Sequence, residues 1–218
     1  MQYPKALRTA IALLLAGAGA SAFAGRPLVV DDAGINAQGE GHVEAWISHT
    51  DGATAFNVSP AYAFWSRVEL AALLSRDGGN GITVTGVQAK WMITPSRDDG
   101  CNVATSFGVQ HVKVPGGSGD VQFVNGLASC NGTPLGNLHF NIGVAKPDGG
   151  SSETNWGVAL ERSFGRVTPH VEVFGSESID TSVNLGLRGD IAKNLQLDGS
   201  VGRIDRSTVY TLGLKLRF

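Results

Sequence analysis

The sequence predicts an all-β chain that closes into a transmembrane antiparallel up-and-down β-barrel of about twelve strands. Three observations predict it. From residue 40 onward, short segments of alternating polarity follow one another with turn residues between them. The last of these segments keeps one parity wholly apolar and finishes on an aromatic residue, Phe218. The chain also opens on an export signal.

That signal occupies residues 1–24. Lys5 and Arg8 form a positive start, Ala10 to Ala18 an apolar run broken only by Gly17, and Ala22-Phe23-Ala24 a small-x-small cleavage pattern, so Gly25 is the expected mature N-terminus. The apolar run is much shorter than the ~20 residues that a membrane-spanning helix needs. No later run is longer, and strands are the only elements left to cross a membrane. Thirty glycines and a net charge of -2 exclude the basic patch of a nucleic-acid binder and the acidic tail of a solvating segment.

Residues 25–39 precede the first strand and are too short for a domain. Arg26, Asp31 and Asp32 start on the periplasmic side, where Lys215, Arg217 and Arg67 should cluster. The segment is therefore expected either to plug the periplasmic mouth or to hang from it as a tail.

The barrel itself is expected over 40–218. Strands are predicted near 40–50, 54–65, 67–76, 81–93, 101–114, 120–130, 137–146, 153–163, 166–176, 179–191, 194–204 and 207–218, long enough to cross at the usual tilt. The alternation is clearest where Leu138, Phe140, Ile142 and Val144 interleave with His139, Asn141 and Gly143. Likewise Ile179, Val183, Leu185 and Leu187 interleave with Asp180, Ser182, Asn184 and Arg188. Tight junctions at Ser66-Arg67, Phe164-Gly165-Arg166 and Ala192-Lys193-Asn194 fit periplasmic turns. The Gly-rich stretches Asp77 to Asn80, Pro115 to Gly119 and Pro147 to Ser152 fit short outer loops that leave no room for a large lid. In the terminal strand, Tyr210, Leu212, Leu214, Leu216 and Phe218 form the lipid face and close the barrel, with Thr211, Gly213, Lys215 and Arg217 opposite them. Trp46, Trp65, Trp91, Trp156, Tyr62 and Tyr210 fall towards strand ends, where an interfacial aromatic girdle would stand.

Cys101 and Cys130 lie at comparable distances on either side of the turn at Pro115 to Gly119. If that turn closes a hairpin, the two thiols meet near the periplasmic rim, in a compartment that oxidises them. A disulfide is the expected outcome, and Cys/His spacing suited to a metal is missing.

Polar-parity positions are expected to face the lumen: Glu44, Arg67, Glu69, Lys90, His139, Glu161, His170, Glu172, Arg188, Lys215 and Arg217. Acids and bases are mixed, whereas a strongly ion-selective pore would concentrate one sign. The mixture reads either as a charge network that stiffens the interior or as the wall of a solute path. Catalysis would require a nucleophile and an oriented base at the lipid-facing rim. His111, with Thr105 and Ser106 nearby, is the best candidate base, but it has no identifiable third partner and no Gly-x-Ser-x-Gly accompanies it. The chain is therefore not expected to be an enzyme, and no cofactor is expected. Asp98-Asp99 and Asp31-Asp32 read as turn-forming carboxylates.

The mature start Arg26-Pro27-Leu28-Val29-Val30-Asp31-Asp32-Ala33, followed by Gly39-Glu40-Gly41 and Val43-Glu44-Ala45-Trp46, resembles the opening of a group of proteobacterial outer-membrane proteins. That group is related to the outer-membrane family of the MetA pathway of phenol degradation. The resemblance implies passage of small solutes, hydrophobic ones among them. The expected protein is thus a monomeric outer-membrane barrel of a Gram-negative bacterium, acting as a passive channel or transporter. Its expected partners are outer-membrane lipid, the barrel assembly machinery and an unidentified small-molecule solute. The alternatives are a non-conducting structural or lipid-interacting barrel and, behind it, an outer-membrane lipid hydrolase.

Overall fold

Successive residues of a strand point to opposite faces, so a segment that alternates apolar and polar residues can sit between hydrocarbon and a polar interior only when extended. A sheet in hydrocarbon must also leave no edge, because each unpaired N–H or C=O costs several kcal/mol there. A computed structural model describes residues 28–50, 52–204 and 206–218 and meets both demands. The expected export signal lies outside the described residues. Among these residues no helix is long and apolar enough to cross a membrane.

Twelve strands follow one another: β1 (Gly41–Thr50), β2 (Ala53–Trp65), β3 (Val68–Asp77), β4 (Thr83–Met92), β5 (Gly100–Val114), β6 (Gly117–Thr133), β7 (Gly136–Pro147), β8 (Glu153–Glu161), β9 (Val167–Ser176), β10 (Ile179–Ala192), β11 (Leu195–Ile204) and β12 (Ser207–Arg217). Each pairs antiparallel with the next, and β12 returns to β1, closing the barrel. The closing ladder runs from His42↔Arg217 to Thr50↔Val209. Phe218 extends it by donating its N–H to Gly41 O at 2.9 Å and accepting from Gly41 N at 2.8 Å. Tyr210, Leu212, Leu214, Leu216 and Phe218 all lie exposed on the outer face. With an even number of strands, both chain ends lie at one rim, the periplasmic one.

Turns at both rims are short. Pro115-Gly116 joins β5 to β6 with only two residues, and Gly116 supplies the φ of 87° that an L side chain rarely adopts. β5 and β6 are the longest strands, at 15 and 17 residues. They extend past the end of β4 at the periplasmic rim, where the β4–β5 ladder stops at Met92↔Ala104. On that extension Cys101 pairs in register with Cys130, and the two form a disulfide.

Two expectations fail for local reasons. Ile179 was expected to share the lipid face with Val183, but an irregularity between Ile179 and Ser182 shifts the register. Such a bulge reverses side-chain parity, and Ile179 turns inward to pack with Leu28, Val30, Ala159, Phe174 and Ile204. Trp46 was expected in the girdle. It sits in the middle of β1 on the parity of Glu44 and Ser48, packing inward against a cluster that includes Leu73, Val84 and Phe123.

Candidate functional site: the lumen and the segment inside it

Inward-facing positions divide the lumen into two zones. From the periplasmic rim to mid-height the wall carries His42, Glu44, Glu69, Lys90, His139, Glu161, His170, Glu172, Arg188, Asp190, Asp198, Lys215 and Arg217. Carboxylates outnumber cations there. Above Glu172 the inward positions of the strands carry no charge apart from Asp77 and Glu153 at the outer rim. They alternate between amides or hydroxyls, such as Asn57, Ser75, Gln110, Asn125 and Ser182, and a substantial apolar set. One apolar cluster joins Leu73, Val84, Val112, Val114, Val121, Phe123 and Ala145, and a second joins Phe174, Ile179 and Ile204.

Of the residues read as lumen-facing, Glu44, Glu69, Lys90, His139, Glu161, His170 and Glu172 are buried inside, and Arg188, Lys215 and Arg217 are inward and partly covered. Arg67 is the exception. It lies exposed in the Ser66-Arg67 turn, because the β3 ladder with β4 begins only at Val68. The apolar inward residues of the outer zone were missed. Their signal is present in the sequence: Val109, Val112 and Val114 place apolar residues on both parities of one strand.

The charges compensate one another locally. Lys215 Nζ lies 2.9 Å from Glu44 Oε1, Arg188 Nη2 2.7 Å from Glu161 Oε1, and Arg217 Nη1 2.9 Å from Asp190 Oδ1. His42 and His139 stand 3.6 Å from Glu44 and Glu161 respectively.

Through this zone runs the segment 28–36. Glu172, only 1% exposed, receives the N–H groups of Val29 and Val30 at 2.8 Å and the Asn184 amide at 2.7 Å. Ala33 N donates to Ser129 Oγ at 2.8 Å. With its amide nitrogen turned toward Asp31 O, Asn141 donates there at 2.8 Å and accepts from Asp31 N at 2.6 Å. Asn36 donates through its backbone and side chain to Glu69 Oε2 at 2.8 and 2.6 Å. Lys90 is the central anchor: its Nζ donates to Asp31 Oδ1 at 2.7 Å, to Asp32 O at 3.1 Å and to Gly34 O at 3.3 Å. The partner of Asp31 is thus Lys90, whereas Lys215 and Arg217 pair with wall carboxylates. Leu28 and Val30 pack on the apolar patch of β8–β11, and Ala33 on Met92, Ala104 and Leu127. Val30 seats against Gly157, where a Cβ would lie 2.6 Å from Val30 Cγ2. Beside the segment remains a cavity of about 170 Å³, lined by Asn36, His42, Glu44, Ser59, Glu69, Lys90 and Lys215 among others.

His111, the candidate base, is exposed on the outer face and has in Asp120, at 2.6 Å, an orienting partner that the sequence did not reveal; of the hydroxyls expected near it, Thr105 bonds to Asn125 O and Ser106 is buried inside the barrel. Among the described residues no His, Cys, Asp and Glu gather in a group that could hold a metal ion.

Comparison with known proteins fits this geometry. A family model described as "Uncharacterised conserved protein UCP029691" matches residues 10–218. No curated protein sequence matches the chain. Among solved structures, KdgM porin aligns with a TM-score of 0.65 at 15% identity, over 81% of this chain and 99% of that one, and has also been solved in complex with disordered oligogalacturonate. The Acinetobacter baumannii outer membrane protein Omp33 aligns at 0.55 and 10% identity, over 82% of this chain and 98% of its own. NanC porin aligns at 0.55 and 12%, over 81% and 98%. The fold is that of the outer-membrane porins.

Proposed function

We propose that this chain, which belongs to the family described as uncharacterised conserved protein UCP029691, is a passive outer-membrane channel for small uncharged solutes with an apolar part. Residues 28–36 form its constriction. The observation that carries this reading is the zoned lumen: charges paired among themselves below, and an uncharged wall of amides, hydroxyls and apolar side chains above. Beyond Asp77 and Glu153 at its mouth, the outer zone offers a charged solute no fixed counter-charge. At mid-height it meets carboxylates in excess, which disfavour anions. Oligogalacturonate, the ligand seen with KdgM, is a chain of uronic acids, so its chemistry does not suit this wall. An uncharged molecule with an apolar portion does. The mature start resembles a group of outer-membrane proteins related to the MetA-pathway family of phenol degradation, and that resemblance is in keeping with the same solute class.

The second reading, a non-conducting structural barrel, is favoured by how firmly the segment is held. Single-channel recording in planar bilayers separates the two, comparing the mature protein with a form lacking residues 25–36. The channel reading expects discrete conductance steps that grow several-fold in the deleted form. If both forms are silent while still migrating as heat-modifiable barrels, the channel reading is wrong and the structural one stands.

A further inference from the structure

The odd-numbered strands run toward the outer rim, and their last-but-one residues follow a rule. They are His49, Arg76, Lys113, Lys146, Gly175 and Arg203 in β1, β3, β5, β7, β9 and β11. All but Gly175 are basic. Each of the basic residues is exposed and shares the outward parity of its strand.

For four of these five basic residues the strand that returns from the hairpin places a hydroxyl opposite. His49 pairs with Thr54, Arg76 with Thr83, Lys113 with Ser118 and Arg203 with Thr208. Thr83 also pairs with Lys113, so Arg76, Thr83, Lys113 and Ser118 form one continuous row across β3 to β6. Among the described residues no carboxylate forms an ion pair with Arg76, Lys113 or Lys146. The acids nearest this arc in the fold are Asp77, next to Arg76 and bonded to Gly79 N and Asn80 N in its own turn, Asp120, which pairs with His111, and Asp148 in the β7–β8 turn.

The height of the row matters as much as its charge. Lower on the same strands, the outward face carries Tyr62, Phe64, Trp65, Trp91 and Phe107, side chains that mark the periplasmic interface. From Trp91 to Thr83 the strand climbs eight positions, which at about 3.3 Å each and a tilt of roughly 40° is a rise of about 20 Å. Leu70, Ala72, Leu74, Val87 and Val109 fill the interval with apolar surface. The cations therefore stand about 20 Å above Trp91, and the length of the Arg and Lys side chains carries their charges to the level of the outer-leaflet headgroups.

A cation beside a hydroxyl, repeated around a rim and directed into the lipid, matches a phosphate: charge for its negative oxygens and an O–H to donate to one of them. We propose that the outward outer rim is a binding girdle for the phosphorylated glycolipid of the outer leaflet, with Arg76, Thr83, Lys113 and Ser118 as its core. The proposal rests on the placement in the membrane and not on conduction.

The test uses the refolded mature protein in detergent micelles, with bound lipid followed by native mass spectrometry. The probes are bisphosphorylated lipid A, the same lipid without its phosphates, and phosphatidylglycerol. Lipid A is expected to bind more tightly than either comparison lipid. The variant R76Q/K113Q should weaken its binding by about fivefold per cation, or roughly 25-fold together. Heat-modifiable migration identical to the unaltered protein verifies that the variant barrel is closed. Three results would overturn the proposal: binding independent of the phosphates, an unchanged affinity in R76Q/K113Q, or equal affinity for phosphatidylglycerol. The last would mean a generic anionic-lipid surface.

Discussion

Replacing Lys90 by Met removes the cation that, among the described residues, faces Asp31 at hydrogen-bonding distance, 2.7 Å, where both residues are 4% exposed. Met keeps most of the side-chain volume, so the substitution isolates the charge. A buried carboxylate stripped of its partner costs about 3–5 kcal/mol, most of it desolvation that the lost pair had offset. The barrel wall does not require Asp31, so the strain is relieved by withdrawing residues 28–36 into the periplasm, where Asp31 is hydrated. The docked-to-withdrawn ratio should fall by roughly two to three and a half powers of ten. Proteinase K trimming of the mature N-terminus in detergent, read by mass spectrometry, reports the withdrawn fraction. Trimming should accelerate strongly in K90M while the barrel stays heat-modifiable. In D31N/K90M the lone Asp31 charge is gone and only the longer-range attraction of Lys90 for Asp32 and Glu69 stays lost, so part of the protection should return. Equal trimming of K90M and the unaltered protein would refute the anchoring role of Lys90. Trimming of D31N/K90M as fast as K90M would refute the electrostatic argument behind it.

Other outcomes follow from the same geometry. Gly157→Leu puts a side chain where Val30 sits and should displace the segment without touching any charge, raising single-channel conductance as the deletion of 25–36 does. Glu172→Gln weakens the charge-assisted bonds to Val29 N and Val30 N and should loosen the segment by about 1–3 kcal/mol, visible as an intermediate trimming rate. The pair C101S/C130S removes a cross-link between residues 29 apart, worth about 3–4 kcal/mol in the loop-closure model. Its urea midpoint should drop while the barrel persists through the β5–β6 ladder. Deleting Phe218 removes two closing backbone bonds to Gly41 and should lower the heat-modifiable fraction recovered from membranes.

The fold was legible because a membrane barrel writes its two solvents into alternate residues: hydrocarbon selects Leu138, Phe140, Ile142 and Val144 while the lumen selects His139 and Asn141. The terminal strand was the plainest case, with Leu212, Leu214 and Leu216 exposed on one face. Parity counting breaks wherever backbone geometry does. At Ile179 a bulge inserts a reversal, and at Arg67 the chain is already in a turn, so neither side chain points where its neighbours predict. The binary code also assumes that apolar means lipid. Val84, Val112 and Phe123 are apolar because they pack on one another inside the barrel, and Trp46 joins them. A segment that fills a lumen is harder still to read, since its partners are separated by up to 143 positions, as between Val29 and Glu172. That Lys90 rather than Lys215 would receive Asp31 depends on three-dimensional proximity alone.

Apart from Asp77 and Glu153 at the outer rim, the fixed charge of the strands is gathered in one half of the lumen, which makes the barrel an electrical diode in principle. The Debye length is about 8 Å at physiological ionic strength, shorter than the ~25 Å apolar band, so the outer half cannot feel the charges of the inner half. Ions driven inward first cross a neutral stretch and then a charged one, and ions driven outward meet the same two in reverse order. The current through the opened barrel should therefore differ in size between the two polarities, and raising the salt should make the two converge.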